Sequence, residues 1–130
     1  MKVLDATFLI DYLDGAEATR DYLLDHDEER FVVPTPAYAE ILVGEGNNPD
    51  GSISEAKADL SWTEVYRTDE DTAVPAGNIA GEVGAQGPFL NGMDALIAAV
   101  GRKLNAEVVS RNRDLTHPET KKVVDIEEYI

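Results

Sequence analysis

The stretch Gly92-Met93-Asp94-Ala95-Leu96-Ile97-Ala98-Ala99-Val100 decides how the rest of the chain is read. Leu96, Ile97, Val100 and Leu104 recur at three- and four-residue spacing, the pattern of a helix with one face in a core. A single carboxylate, Asp94, stands in its first turn, on the side shared with Ile97, Ala98 and Gly101. Acids favour helix starts, so Asp94 reads as an N-cap. A carboxylate among small and apolar neighbours also reads as a ligand. The helix alone does not choose between the two.

Downstream of this helix, Glu107-Val108-Val109-Ser110 and Lys122-Val123-Val124-Asp125-Ile126 read as strands. Upstream, Gly87-Pro88 breaks a helix over Asp69–Gln86, which Pro75, Gly77, Gly81 and Gly84 weaken or split. Thr63–Arg67 reads as a strand and Glu55–Leu60 as a modest helix. Gly44–Ser54 is turn-rich and is expected to be a mobile loop. Pro36 suits the first turn of a helix over Ala37–Gly44, and Phe31-Val32-Val33 is a strand closed by Pro34-Thr35-Pro36. Helices are expected over Ala16–Glu28 and from Thr7 to Leu13, where Asp14-Gly15 stops the chain. Lys2-Val3-Leu4, ending at Asp5, is the first strand.

Strands alternating with helices at this spacing predict one α/β domain over residues 1–130, with a mostly parallel sheet of four to five strands flanked by helices. In such sheets ligands bind beyond the carboxyl ends of the strands, where strand order reverses. That rule selects Asp5, and after Ser110 it selects Asn112 and Asp114.

Composition narrows the chemistry. Apolar residues make up 43% of the 130, enough for a packed core. With no cysteine, disulfides and thiolate metal sites are excluded, and a metal is left with oxygen ligands or the two histidines. His26 and His117 do not pair at any metal-ligand spacing and read as surface residues. No segment approaches the ~20 apolar residues that span a bilayer, and Asp5 and Asp11 interrupt any signal-peptide pattern, so a cytoplasmic location is expected. Eleven basic against 26 acidic residues leave a net charge of −15, dispersed along the chain. Such a surface resembles that of proteins from salt-accumulating halophiles. It repels nucleic acid in ordinary buffer, but in molar salt the Debye length falls to about 3 Å and the objection weakens.

Glu40 stands in Pro36-Ala37-Tyr38-Ala39-Glu40-Ile41-Leu42-Val43-Gly44, with only Pro36, Ala37, Val43 and Gly44 at helical neighbour spacing. Asp5 and Asp94 each read as helix caps, Asp114 as the cap of a short helix and Asn112 as a turn former. Taken together, these residues point to a carboxylate cluster. Clustered carboxylates resist ionising, and a divalent cation relieves the repulsion. Oxygen-only ligands suit Mg²⁺ or Mn²⁺.

Here the chain resembles the PIN-domain proteins. Val3-Leu4-Asp5-Ala6-Thr7-Phe8-Leu9-Ile10-Asp11-Tyr12-Leu13 is similar to their opening, an aspartate closing the first strand with a hydroxyl two residues on. Glu40 resembles the second acid, Asp94-Ala95-Leu96-Ile97-Ala98-Ala99 the third acid and its helix, and Val109-Ser110-Arg111-Asn112 the last strand-end motif. The size and the tyrosine–leucine pattern look most like VapC-type toxins of toxin–antitoxin pairs. One departure stands out: Asn112 occupies a position where many relatives carry an acid, and Asp114 lies two beyond it.

The resemblance implies a PIN-like three-layer sandwich and a Mg²⁺- or Mn²⁺-dependent endoribonuclease acting on single-stranded or looped RNA. It implies Asp5, Glu40, Asp94 and Asp114 as catalytic acids, with Asp5, Asp94 and Asn112 or Asp114 on the metal. Thr7 and Ser110 would support the cluster. Arg111 or Arg113 would help the scissile phosphate to bind, though both also read as surface charge. Cleavage by an activated water would leave a 5′-phosphate and a 3′-hydroxyl. A small antitoxin protein and a homodimer are implied as partners.

Other classes remain open. An RNA-processing nuclease without an antitoxin carries the same site, and so does a binding module that has kept the fold without the activity. A phosphoacceptor signalling domain needs an acid pair after the first strand, and Asp5 is alone there. Phosphatases built on an Asp-x-Asp-x-Thr strand end fail at Asp5-Ala6-Thr7 for want of the second aspartate.

Overall fold

The computed structural model describes residues 1–130. Five strands form one parallel sheet: β1 (Lys2–Leu4), β2 (Phe31–Pro34), β3 (Glu64–Tyr66), β4 (Glu107–Val109) and β5 (Ile126–Glu127), in the order β3-β2-β1-β4-β5. Seven helices flank it: α1 (Ala6–Leu13), α2 (Glu17–Asp25), α3 (Thr35–Asn47), α4 (Ile53–Asp59), α5 (Glu70–Val83), α6 (Gly92–Leu104) and α7 (Pro118–Lys121). This is the α/β architecture expected from the alternation of the sequence. Val3 of β1 lies between Val32 of β2 and Val108 of β4, and β1, β2 and the valines of β4 are buried, as runs of Val and Leu in a covered parallel sheet should be. The core joins Leu4, Phe8, Leu9 and Val33 to Ile97, Val100, Val109 and Leu115. No helix is long and apolar enough to cross a membrane.

The chain builds outward from β1 through β2 to β3, then returns to the other side of β1 for β4 and β5. Strand order therefore reverses between β1 and β4. Leu4 pairs with Val109 in register, so Asp5 and Ser110 leave the sheet side by side at that crevice.

Four expectations are corrected. Helix α3 runs from Thr35 to Asn47, past Gly44 and Gly46, so the expected mobile loop shrinks to residues 48–52. Its far end is closed down: the Glu45 carboxylate accepts the Ser52 N–H at 3.0 Å, and a side chain on Gly51 would sit 2.2 Å from the Glu45 carbonyl oxygen. Helix α5 is continuous through Pro75, because Thr72, Ala76, Ile79 and Val83 form a buried stripe packed on α6; a single 3₁₀ turn, Gly84–Gln86, follows. The last strand is Ile126–Glu127 rather than 122–126, since Val123 and Val124 continue the turn of α7 by donating to the Thr120 carbonyl. Neither histidine is a bare surface residue. His26 stacks on Tyr22 with ring centroids 4.0 Å apart, and His117 Nδ1 accepts the Glu119 N–H at the start of α7.

Candidate functional site

At the reversal of strand order, Asp5 is both a helix cap and a buried acid, with 2% of its surface exposed. Its Oδ1 accepts hydrogen bonds from the Thr7 hydroxyl (2.7 Å) and the Phe8 N–H (3.2 Å), the latter being the N-cap contact of α1. The Ser110 hydroxyl donates to the other oxygen. Burial pushes the Asp5 carboxyl up from its ordinary pKa, and the donors Ser110, Thr7 and Phe8 oppose that push. The two hydroxyls also tie down the loop after β4: Thr7 Oγ1 accepts the Arg111 N–H (3.1 Å) and Ser110 Oγ the Asn112 N–H (2.9 Å).

Asp94 is not the N-cap of its helix. Asn91 caps α6, its side-chain oxygen accepting the Asp94 N–H at 2.8 Å. Asp94 as a residue is only 9% exposed, and no protein hydrogen-bond donor reaches its carboxylate. Burial, then the charges of Asp114, Asp5 and Glu40, push its pKa up to about 6. All four expected acids thus act on one point, although Glu40 reaches it from an exposed position on α3.

The loop after Ser110 divides its labour. Asn112 Oδ1 accepts the backbone N–H groups of Asp114 (2.9 Å) and Leu115 (3.1 Å), so its carbonyl oxygen is engaged in forming the turn. The remainder of Asn112 faces the cavity, while Asp114 contributes charge beside Asp94. Arg111 is turned away from the cavity. Its guanidinium makes a two-pronged ion pair with Asp11 (2.6 and 2.9 Å), and Asp11 also accepts the Tyr129 hydroxyl (2.6 Å). Arg113 is exposed and makes no ion pair.

These residues enclose a cavity of about 140 Å³ walled by Asp5, Thr7, Glu40, Asn91, Asp94 and Asn112, with Ile10, Met93 and Ile97 as its apolar part. That is several times the ~30 Å³ share of one water. A roomier hollow of about 450 Å³ beside α1 and α2 is lined by Tyr12, Thr19, Arg20 and Leu23 and has no acid in its wall. Asp5, Glu40 and Asp94 share a wall only in the smaller of these two cavities.

No three acidic or histidine side chains stand close enough to hold an ion among them. Mg²⁺ asks for less, since it keeps several waters and is carried by one or two carboxylates. An unbonded, crowded carboxylate at Asp94 among oxygen donors suits such a cation, whose charge would offset the repulsion. Sequence reading missed Asn91 and Asp11. Both had a signal: Asn91-x-x-Asp94 has capping-box spacing, and Asp11 lies one helical turn beyond Thr7.

A family model described as "PIN domain" matches residues 2–121. No curated protein matches the chain by sequence. Among solved structures, a toxin–antitoxin complex from Klebsiella pneumoniae superposes with a TM-score of 0.78 at 18% identity, over 100% of this chain and 98% of that one. DNA-bound VapBC from Salmonella typhimurium gives 0.79 at 19% identity, over 99% and 98% of the two chains. VapBC-1 from nontypeable Haemophilus influenzae gives 0.79 at 18%, over 98% and 97%.

Proposed function

Since the match spans nearly the whole sequence, the chain belongs to the PIN-domain family, and from that premise we propose that it is a metal-dependent endoribonuclease, the toxin of a toxin–antitoxin pair. The observation that carries the reading is the Asp94 carboxylate: buried, without a hydrogen-bond donor, and pressed by Asp114, Asp5 and Glu40. A fold gains nothing from such a group, whereas a cation site requires one.

In this reading Asp94, with Asp5 beside it, would hold Mg²⁺ or Mn²⁺ largely through its waters, Asp114 would add negative charge from behind Asp94, and Asn112 shapes the turn that carries Asp114. When bound, the cation neutralises phosphate charge and lowers the pKa of a water. The protein's own part is orientation and proton handling. Ser110, Thr7 and the Phe8 N–H fix both oxygens of Asp5, so that carboxylate enters the site in one pose. Asp94, ionised at neutral pH without a donor to offset its charge, offers that charge to a cation. Glu40, exposed at the rim, is free to take a proton from an attacking water. Arg113 is the cation left to meet the phosphate, because Arg111 is committed to Asp11. Residues 1–130 act as one domain, on single-stranded RNA whose unstacked bases fit an open rim. The work is cytoplasmic.

The antitoxin partner is supported by the likeness to a toxin–antitoxin complex from Klebsiella pneumoniae and to the VapBC structures from Salmonella and Haemophilus. A homodimer belongs to the same reading. Expression of the chain should arrest growth, and the small gene beside it should reverse the arrest. The decisive assay is RNA cleavage with and without Mg²⁺ or Mn²⁺ in high KCl, on the wild type and Asp94→Asn. Cleavage should need the metal, and the variant should lose it by at least ~100-fold while still folding. Full activity in the variant would reject the site.

A further inference from the structure

Phe89 is 94% exposed, more than any other large apolar side chain of the molecule. A phenyl ring held entirely in water contributes nothing to folding. The loop that displays it is nevertheless firmly built. A side chain on Gly87 would lie 2.3 Å from Val83 Cγ1 and 3.0 Å from Glu119 Cβ, so the loop begins wedged between α5 and α7. Pro88 follows with a fixed φ. Leu90 packs against the core, and Asn91 is locked as the cap of α6. Between these anchors Phe89 alone points outward. Two residues span at most about 7 Å of chain, so its Cα lies within that distance of Asn91, which walls the acidic cavity.

We propose that Phe89 is a stacking platform for one nucleobase of the RNA beside the phosphate held in the cavity, an inference that rests on the nuclease reading above. The local surface favours a base over a protein partner. Along the chain on either side of Phe89, Gln86, Asn91 and Gly92 are exposed and polar or small, Pro88 and Leu90 are only partly exposed with Leu90 packed on the core, and Met93 already lines the cavity. A partner helix or strand wants a contiguous apolar face, whereas a base wants one flat ring on a stiff support. The ring is sequence-tolerant, since every base has a π-face, so Phe89 supplies affinity and register rather than strict base choice.

The test compares wild type, Phe89→Ala and Phe89→Trp on a fluorescent 12-nucleotide RNA in Mg²⁺ and high KCl. Both binding by anisotropy and cleavage are followed. A matching RNA with an abasic residue next to the cleavage position is run in parallel. Phe89→Ala should weaken binding and raise KM about tenfold with kcat within twofold, and Phe89→Trp should restore both. The abasic RNA should bind wild type and Phe89→Ala equally. Wild type that binds RNA in a Phe89-dependent way but never cuts would remove the nuclease reading and keep this one. Unchanged affinity in Phe89→Ala overturns the proposal, as does a wild type that binds no RNA. So does a variant whose only loss is self-association by light scattering, which would make the ring a protein contact.

Discussion

With its carboxyl pKa raised to about 6, Asp94 is ionised at neutral pH against the pull of burial and of three neighbouring acids. The folded value lies above the ~3.9 of an unfolded aspartate, so the fold binds this proton more tightly than the unfolded chain does. The corresponding stability is complete below about pH 4 and is lost as pH rises through about 6. Asp94→Asn carries no such charge. In EDTA at pH 7.5 it should therefore be more stable than wild type by about 1–3 kcal/mol, or roughly 3–8 °C in Tm. The gain should shrink to nothing by about pH 4. Added Mg²⁺ should raise the wild-type Tm and leave the variant where it was. Thermal unfolding at the two pH values checks both claims. A variant less stable than wild type at pH 7.5 would mean that Asp94 is a structural group rather than a crowded ligand.

At the scale of elements, the loop carrying Asp114 is held from the far side by a latch. Asp11 on α1 accepts from Arg111 in that loop and from Tyr129 near the end of the chain. The Arg111 hydrogen bonds, with that of Tyr129, hold the Asp11 carboxyl below the usual carboxylate range despite partial burial. A depressed folded value gives stability that is present above about pH 4 and is lost as pH falls through it. Arg111 is half-exposed, so Asp11→Asn should cost only about 1 kcal/mol, read as a lower urea midpoint at pH 7, with the difference vanishing toward pH 3. Cleavage should fall with it as the loop loosens. Unchanged stability would show that Thr7 and Ser110 hold the loop unaided. Gly101→Ala should cost more, about 1–3 kcal/mol. A methyl there would meet Val108 Cγ2 at 2.6 Å and the Ala106 carbonyl oxygen at 3.1 Å, prising α6 off β4.

These elements also show how far the sequence could be read. The apolar stripe of α6 and the short valine runs of β1, β2 and β4 announce themselves, because burial dictates their pattern. The end of α3 did not, since Gly44 and Gly46 weaken a helix locally and only the Glu45–Ser52 contact and packing against α4 carry it on. The β-branched run at Val123-Val124 favours a strand, yet Thr120 draws it into a turn, its hydroxyl bonded to the Asp114 carbonyl at 2.7 Å. Asp5 and Asp94 stand out in the sequence because each acid interrupts a run that is buried in the fold, whereas Glu40, flanked only by small and apolar residues at helical spacing, stands exposed on α3. The direction of Arg111 was not legible: its partner Asp11 lies 100 residues away, and nothing local to Arg111 announces it.

Over the whole molecule the net charge of −15 sets the solution behaviour. Several cations are already committed: Lys2 bridges Glu107 and Glu127, Arg30 pairs with Glu64 and Arg102 with Glu82. The surplus of acids therefore repels across the surface with little local relief. Going from 0.1 to 1 M KCl shortens the Debye length from about 10 to 3 Å, which removes most of that repulsion. Tm should rise by roughly 3–4 °C over this range, about 1 kcal/mol of stability. The same screening acts on substrate. An ordinary RNA-binding protein releases counterions on binding and loses affinity steeply as salt increases. Here long-range repulsion opposes the few local contacts, so cleavage should be weak at low salt and increase toward molar KCl. Initial rates on one RNA from 0.05 to ~2 M KCl at fixed Mg²⁺ would decide, with the span chosen to cross the screening length of surface charges. A rate that falls monotonically with salt would mean that Arg113 and the bound cation dominate a site insulated from the protein's overall field, and that the acidic surface serves solubility alone.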